Sequence, residues 1–161
     1  QQEYSIHDLK SGKFKADNSY IYQLPFSKHK KVFLIQAYES NQSHKGEVAL
    51  DFKIKKGTKI CAAREGTVIA VRGDSDKGGL KPENLSDGNF ISIQHSDGSI
   101  AHYWHLQKDG VLVKVGDVVV KGQLIGLSGN TGYSAFPHLH FEVNQNGKQI
   151  PTRFQTKKGA K

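Results

Sequence analysis

The sequence predicts an all-β fold built around an antiparallel sheet. Three observations carry this: short apolar runs with period-two alternation recur along the chain, glycine turns separate them, and no segment sustains the 3.6-residue apolar period of an amphipathic helix. Val32-Phe33-Leu34-Ile35 is the first run. From Glu47 to Ile54, Val48, Leu50, Phe52 and Ile54 share one face, and alternation puts Ala49, Asp51 and Lys53 on the other. Ile60 to Val71 follows, with Glu65-Gly66 read as a hairpin turn inside it. Phe90 to His95 and Ile100 to Leu106 flank Ser96-Asp97-Gly98, a strong hairpin signal. Val111 to Val115, Val118-Val119, Leu124 to Leu127 and Leu139 to Val143 complete the strands. Between Gly73 and Gly88 lies a polar stretch with five glycines or prolines and no periodicity, and a loop of that length in a compact domain is more often a functional wall or lid than a connection.

With 161 residues and 36% hydrophobic content, the chain can bury one sizeable core. A single domain over residues 1–155 is expected, followed by a basic tail, 156–161, expected to fray. No run approaches the roughly 20 apolar residues that cross a bilayer. The first residues, Gln1-Gln2-Glu3-Tyr4, do not resemble an export signal, which would fit a mature chain whose signal has been removed. The single cysteine, Cys61, excludes an internal disulfide framework and any cysteine-rich zinc site, and its strand-like surroundings predict a small buried core residue. A formal charge of +8 favours an anionic partner such as nucleic acid, an acidic membrane or a cell-wall polymer, but charge does not choose among them.

Eight histidines carry unequal information. His138-Leu139-His140 places two imidazoles on one face of a strand, where they could bind a metal or act together on a substrate; alone, the triplet is a weak signal. Asp51 is a carboxylate on the open face of a strand whose other face is apolar, with His44 preceding it. Zinc accepts His nitrogen and Asp oxygen, and a catalytic site keeps three protein ligands and one position for water, a set that His44, Asp51 and His140 would supply. The plainer alternative pairs Asp51 with Lys53 or another surface cation. In His102-Tyr103-Trp104-His105, alternation puts Tyr103 and His105 on one face and His102 and Trp104 on the other; His105 would serve as a base only if it reached the same groove as the other candidates. His7, His29 and His95 have no partner pattern and are read as surface or turn residues. No H-E-x-x-H helix, G-x-S-x-G elbow or Walker A loop is present, so water activated by a metal is the economical chemistry.

These motifs together resemble the lysostaphin-type, or LytM, zinc endopeptidases of peptidase family M23. Ser43-His44-Lys45-Gly46-Glu47 with Ala49-Leu50-Asp51-Phe52 resembles the family's first ligand motif, followed by Gly57-Thr58 and Ala62 to Val68. Tyr103-Trp104-His105-Leu106 resembles its Y-x-H-L motif, and Gly122 to Gly126 and Ser128 to Gly132 lead to Pro137-His138-Leu139-His140-Phe141-Glu142, which resembles the second ligand motif. The likeness covers roughly residues 24–143. One departure stands out: the common spacing is H-x-x-x-D, whereas six residues separate His44 from Asp51, so the intervening residues must bulge for both side chains to reach one ion.

The resemblance implies a duplicated-hybrid-type β fold with a groove on an antiparallel sheet, loops as walls and one zinc on the floor held by His44, Asp51 and His140. It also implies that His105 and His138 share deprotonation of water and oxyanion stabilisation. The implied substrate is a peptide cross-link or stem of peptidoglycan, with anionic wall polymers as further partners and a secreted, periplasmic or envelope location. A monomer is expected, with no nucleic-acid partner, since basic residues are scattered and no reader motif occurs. A second class of function is a non-catalytic regulator or wall-binding module, as some relatives have lost ligands; here all five positions are filled. Val115-Gly116-Asp117-Val118 and Gly122-Gln123 echo lipoyl and biotinyl carrier domains, but no M-K-M attachment site exists.

Overall fold

The computed structural model describes residues 19–27, 33–36, 49–156 and 159–160. His7, His29, Val48 and the first expected ligand, His44, lie outside the described residues. Among the described residues fifteen strands run in chain order: β1 Ile21–Tyr22, β2 Phe33–Gln36, β3 Ala49–Lys53, β4 Lys59–Cys61, β5 Gly66–Arg72, β6 Gly78–Gly79, β7 Asn89–Gln94, β8 Ile100–Val111, β9 Val118–Val119, β10 Leu124–Ser128, β11 Gly132–Tyr133, β12 His138–Gln145, β13 Lys148–Ile150, β14 Arg153–Thr156 and β15 Gly159–Ala160. A short 3-10 helix, Pro82–Ser86, is the one helical element among the described residues. The all-β expectation holds.

The main sheet is ordered β2-β3-β12-β8-β7-β5-β9, with β13 on β12, and β10 joining β8 to β4; every pairing in it is antiparallel. One face of its centre is core. Leu139 and Phe141 of β12 register against Phe52 and Leu50 of β3 on one side, and Phe141 and Val143 against Tyr103 and Ala101 of β8 on the other. All are buried, and Tyr103 meets Phe141 edge-on at 5.2 Å. Each large side chain removed from water here contributes about 1.5–3 kcal/mol. Tyr103 also accepts a hydrogen bond on its hydroxyl from the Ala63 amide at 2.8 Å, so its polar end is satisfied inside the core. Cys61 is buried, as its surroundings predicted.

The Ser96-Asp97-Gly98 turn joins β7 to β8 as expected, with Gly98 at φ 81. Not every expectation holds: the strand read from Val111 to Val115 is only the end of β8 at Val111, with no strand over residues 112–115. Glu65-Gly66 is not a hairpin turn: β4 pairs with β10, whereas β5 pairs with β7 and β9, so the chain crosses between different neighbours there. His95 is not a surface residue but 1% exposed, because the hairpin end folds its ring edge-on against Tyr22 and its Nδ1–H donates to the Glu65 carbonyl at 2.7 Å. Of the basic tail, Gly159–Ala160 pairs antiparallel with Gln155–Thr156, while residues 157, 158 and 161 lie outside the described residues.

Candidate active site

The opposite face of the same strands carries the chemistry. Asp51 on β3 and His140 on β12 are direct register partners, and His138 and Glu142 flank His140 on that face by simple alternation. Asp51 is buried, 7% exposed, and its Oδ1 lies 2.9 Å from His140 Nδ1 and 3.7 Å from His138 Nε2. Lys53, the sequence's plainer partner for Asp51, is exposed and pairs in register with His138 instead.

His105 reaches this face by breaking the alternation. Asn89 and Phe90 are adjacent on β7, yet they register with Leu106 and Trp104 on β8, leaving His105 as an extra residue on the longer strand. This is a β-bulge, and His105 takes φ 68 to make it. A left-handed conformation at a residue with a Cβ costs on the order of 1 kcal/mol or more and persists only where its surroundings fix it. The expectation that His105 shares a face with Tyr103 is therefore wrong. Tyr103 points into the core, whereas Trp104 and His105 both line the groove, Trp104 resting against Phe90 at 4.5 Å between ring centres.

Thr131 is what fixes the bulge. Its hydroxyl donates to the Leu106 carbonyl at 2.6 Å and accepts from the Asn89 amide at 3.0 Å, while its own carbonyl accepts from His105 Nδ1 at 2.7 Å. Asn89, fully buried, adds a bond from Nδ2 to the same Leu106 carbonyl and exchanges two bonds with the Ser75 backbone. His138 is held the same way, donating from Nδ1 to the Phe136 carbonyl at 2.8 Å beside the Ser134 hydroxyl. A carbonyl can only accept, so both imidazoles carry a proton on Nδ1, which in a neutral ring leaves Nε2 bare. Burial and then the neighbouring His138 push the His105 pKa down to about 4, so its ring is neutral at neutral pH. The two rings lie 4.6 Å apart, and His105 is 6.0 Å from the ring of His140.

Above these side chains is a groove of about 670 Å³. One wall is the Gly73–Gly88 stretch, which contributes Leu80, Leu85 and Gly88, and the other is the loop from Gly132 to Phe136. Parallel pairing of β6 with β11 ties the walls together. Gly132 stands at φ +82 with its α-carbon against Gly88, where an added Cβ would come within 2.7 Å of the Gly88 Cα. The long loop thus serves as a wall, as its length suggested. The sequence did not reveal the roles of Thr131, Ser134, Asn89 or the two leucines. Backbone carbonyls leave no side-chain signature, and only the Ser128–Gly132 motif hinted that this turn mattered.

Two ligands each about 2.0–2.2 Å from one ion can be no more than about 4.4 Å apart, and Asp51 Oδ1 meets that bound with His140 Nδ1; among the described residues no third ligand joins this pair. The described residues bring together Asp51, His105, His138 and His140; they do not include His44.

The residue pattern of Peptidase family M23 matches residues 42–152 of this chain. The chain belongs to peptidase family M23. Over 120 residues it is 38% identical to an uncharacterized metalloprotease of Buchnera aphidicola subsp. Baizongia pistaciae, covering 74% of this chain and 28% of that protein. Over 100 residues it is 37% identical to the peptidoglycan DD-endopeptidase ShyA of Vibrio cholerae serotype O1, covering 62% of this chain and 20% of ShyA. The chain thus spans under a third of the length of these relatives. A crystal structure of a zinc containing peptidase from Vibrio cholerae superposes with a TM-score of 0.62 at 28% identity, covering 81% of this chain and 39% of that one. The four M23 side chains described above all fall within the matched residues.

Proposed function

We propose that this M23 chain is a zinc endopeptidase that hydrolyses peptide bonds of bacterial peptidoglycan. The observation that carries the reading is the bulge at His105, which spends backbone strain to bring a neutral imidazole beside His138, His140 and Asp51 in one groove. His44, Asp51 and His140 would hold the ion. The chemistry such an ion supplies is Lewis acidity toward the scissile carbonyl and a water acidified to near neutral pH. His105 and His138 then divide the proton handling: with Nδ1 committed to the Thr131 and Phe136 carbonyls, each presents Nε2 to the groove. A neutral Nε2 accepts a proton from water, and once protonated it donates to the tetrahedral oxyanion or the leaving amine. Each role is worth on the order of 10²-fold or more. A peptidoglycan substrate is supported by ShyA's name and by a basic chain suited to an anionic wall. This reading puts the protein outside the cytoplasm, in or beyond the cell envelope, acting as a monomer, with residues 1–155 as one domain.

The alternative chemistry on such a polymer, glycoside hydrolysis, usually needs two carboxyl groups flanking the sugar bond. Among the described residues the groove has Asp51, engaged by two histidines, and Glu142 on the same sheet face. Mass spectrometry of digested peptidoglycan should therefore show new peptide amino and carboxyl ends and no new reducing sugar ends, all suppressed by a chelator. New reducing ends without new amines would refute the peptidase reading.

A further inference from the structure

The groove has a charge unlike that of the molecule. The chain carries a formal +8, yet no Lys or Arg is among the described residues that line the groove; its charged side chains other than histidine are Asp51 and Glu142. Asp51 is engaged by His138 and His140, which leaves Glu142 as the carboxylate available to a substrate. Glu142 sits one register row beyond His140 on β12, opposite His102 of β8 and diagonal to Trp104, the aromatic floor of the groove. Gln149 of β13 holds Oε2 by an amide hydrogen bond, and Gln149 also lines the groove. No other hydrogen bond or ion pair of Glu142 occurs among the described residues.

A half-buried carboxylate oriented by a neutral amide, in a groove that Trp104 also lines and that has no Lys or Arg among its described lining residues, suits an ammonium group. We infer that Glu142, steered by Gln149, is a specificity determinant that selects substrates carrying a free primary ammonium close to the scissile bond. The inference rests on the groove being the peptide site of a peptidase. The ammonium could be the side chain of a basic residue or an unsubstituted amino terminus, and both present the same chemistry to the carboxylate. Glutamine at 142 would keep the shape and the amide contact with Gln149 while removing the charge, so a merely structural role for Glu142 would survive that exchange.

The test uses zinc-loaded protein and three fluorescent peptides: acetyl-Ala-Ala-Lys-Ala-Ala-amide, its norleucine counterpart, and the norleucine peptide with a free amino terminus. Binding is read by anisotropy and hydrolysis by release of new amines. Wild type should bind one or both cationic peptides about 3- to 10-fold more tightly than the capped norleucine peptide, the range of a partly buried charge-assisted pair, and the cationic peptide that is preferred names the source. Glu142→Gln should bring that ratio close to one, and Glu142→Asp, which keeps the charge, should retain part of it, with thermal melts showing all three proteins folded. Equal binding of the three peptides by wild type, or an unchanged ratio in Glu142→Gln, would overturn the inference. A preference that depends on Glu142 without cleavage of any peptide would support the ammonium site and count against the peptidase reading instead.

Discussion

His95 shows how far a single side chain can depart from its sequence context. Its ring is sealed between Tyr22 and the Glu65 carbonyl, and burial pushes its pKa down to about 4. In the unfolded chain it titrates near its ordinary value of about 6.5. Between those two values the unfolded state binds the extra proton, so stability is full above about pH 6.5 and falls as pH drops toward 4, by up to about 3 kcal/mol. Denaturant unfolding across that window should show the loss, and His95→Leu should flatten it relative to wild type. An unchanged slope in the variant would show that other groups carry the acid sensitivity. The sequence concealed this burial because His95 ends a strand beside a turn, where exposure is the ordinary outcome. It disclosed His138 and His140 readily, since strict alternation on β12 sets both on one face. His105 was identifiable as a residue and not as a direction, because one left-handed φ reverses the face that alternation assigns.

At the level of elements, the site depends on how β8 is bent. Thr131 bonds the Leu106 carbonyl, the Asn89 amide and, through its own carbonyl, His105. Thr131→Val keeps the volume and removes the hydroxyl, leaving the buried Asn89 amide without its partner. The variant should lose about 1–3 kcal/mol of stability and a large part of its turnover while keeping its metal, as shown by unfolding curves, kinetics and metal content on one preparation. Full activity would mean the bulge holds its shape without Thr131. The β7–β8 hairpin was legible from Asp97-Gly98 because turn chemistry is local. The Glu65-Gly66 step was misread for the complementary reason: whether a glycine turn closes a hairpin or starts a crossing depends on strands far away in sequence, here β10 for β4 and β7 for β5. The pairing of β6 with β11 is likewise invisible locally, as Gly78–Gly79 has no strand signature.

Across the whole molecule, two charge patterns serve two length scales. The +8 of the chain acts over distances comparable to the Debye length, and the groove, lined by no described Lys or Arg, acts at contact. Raising salt from about 50 mM to about 500 mM should therefore weaken adsorption to an anionic wall polymer by about tenfold or more, yet change kcat/KM on a short uncharged peptide by less than about twofold. Parallel losses would place the basic surface inside the substrate site. The all-β class, the core face of β3 and β12 and the wall formed by residues 73–88 were readable because period, apolar alternation and loop length each have a direct physical cause. The assembly of the groove was not, since it arises from contacts such as Gly132 against Gly88 that join segments distant in sequence. The central claim, a zinc site with separate catalytic histidines, is tested most directly by measuring zinc per chain and amine release from peptidoglycan on the same samples of wild type, Asp51→Ala, His140→Ala and His105→Ala. Wild type should hold one zinc, Asp51→Ala and His140→Ala should lose it, and His105→Ala should keep it while turnover falls by about 10²-fold or more; undiminished zinc in both ligand variants would contradict the account.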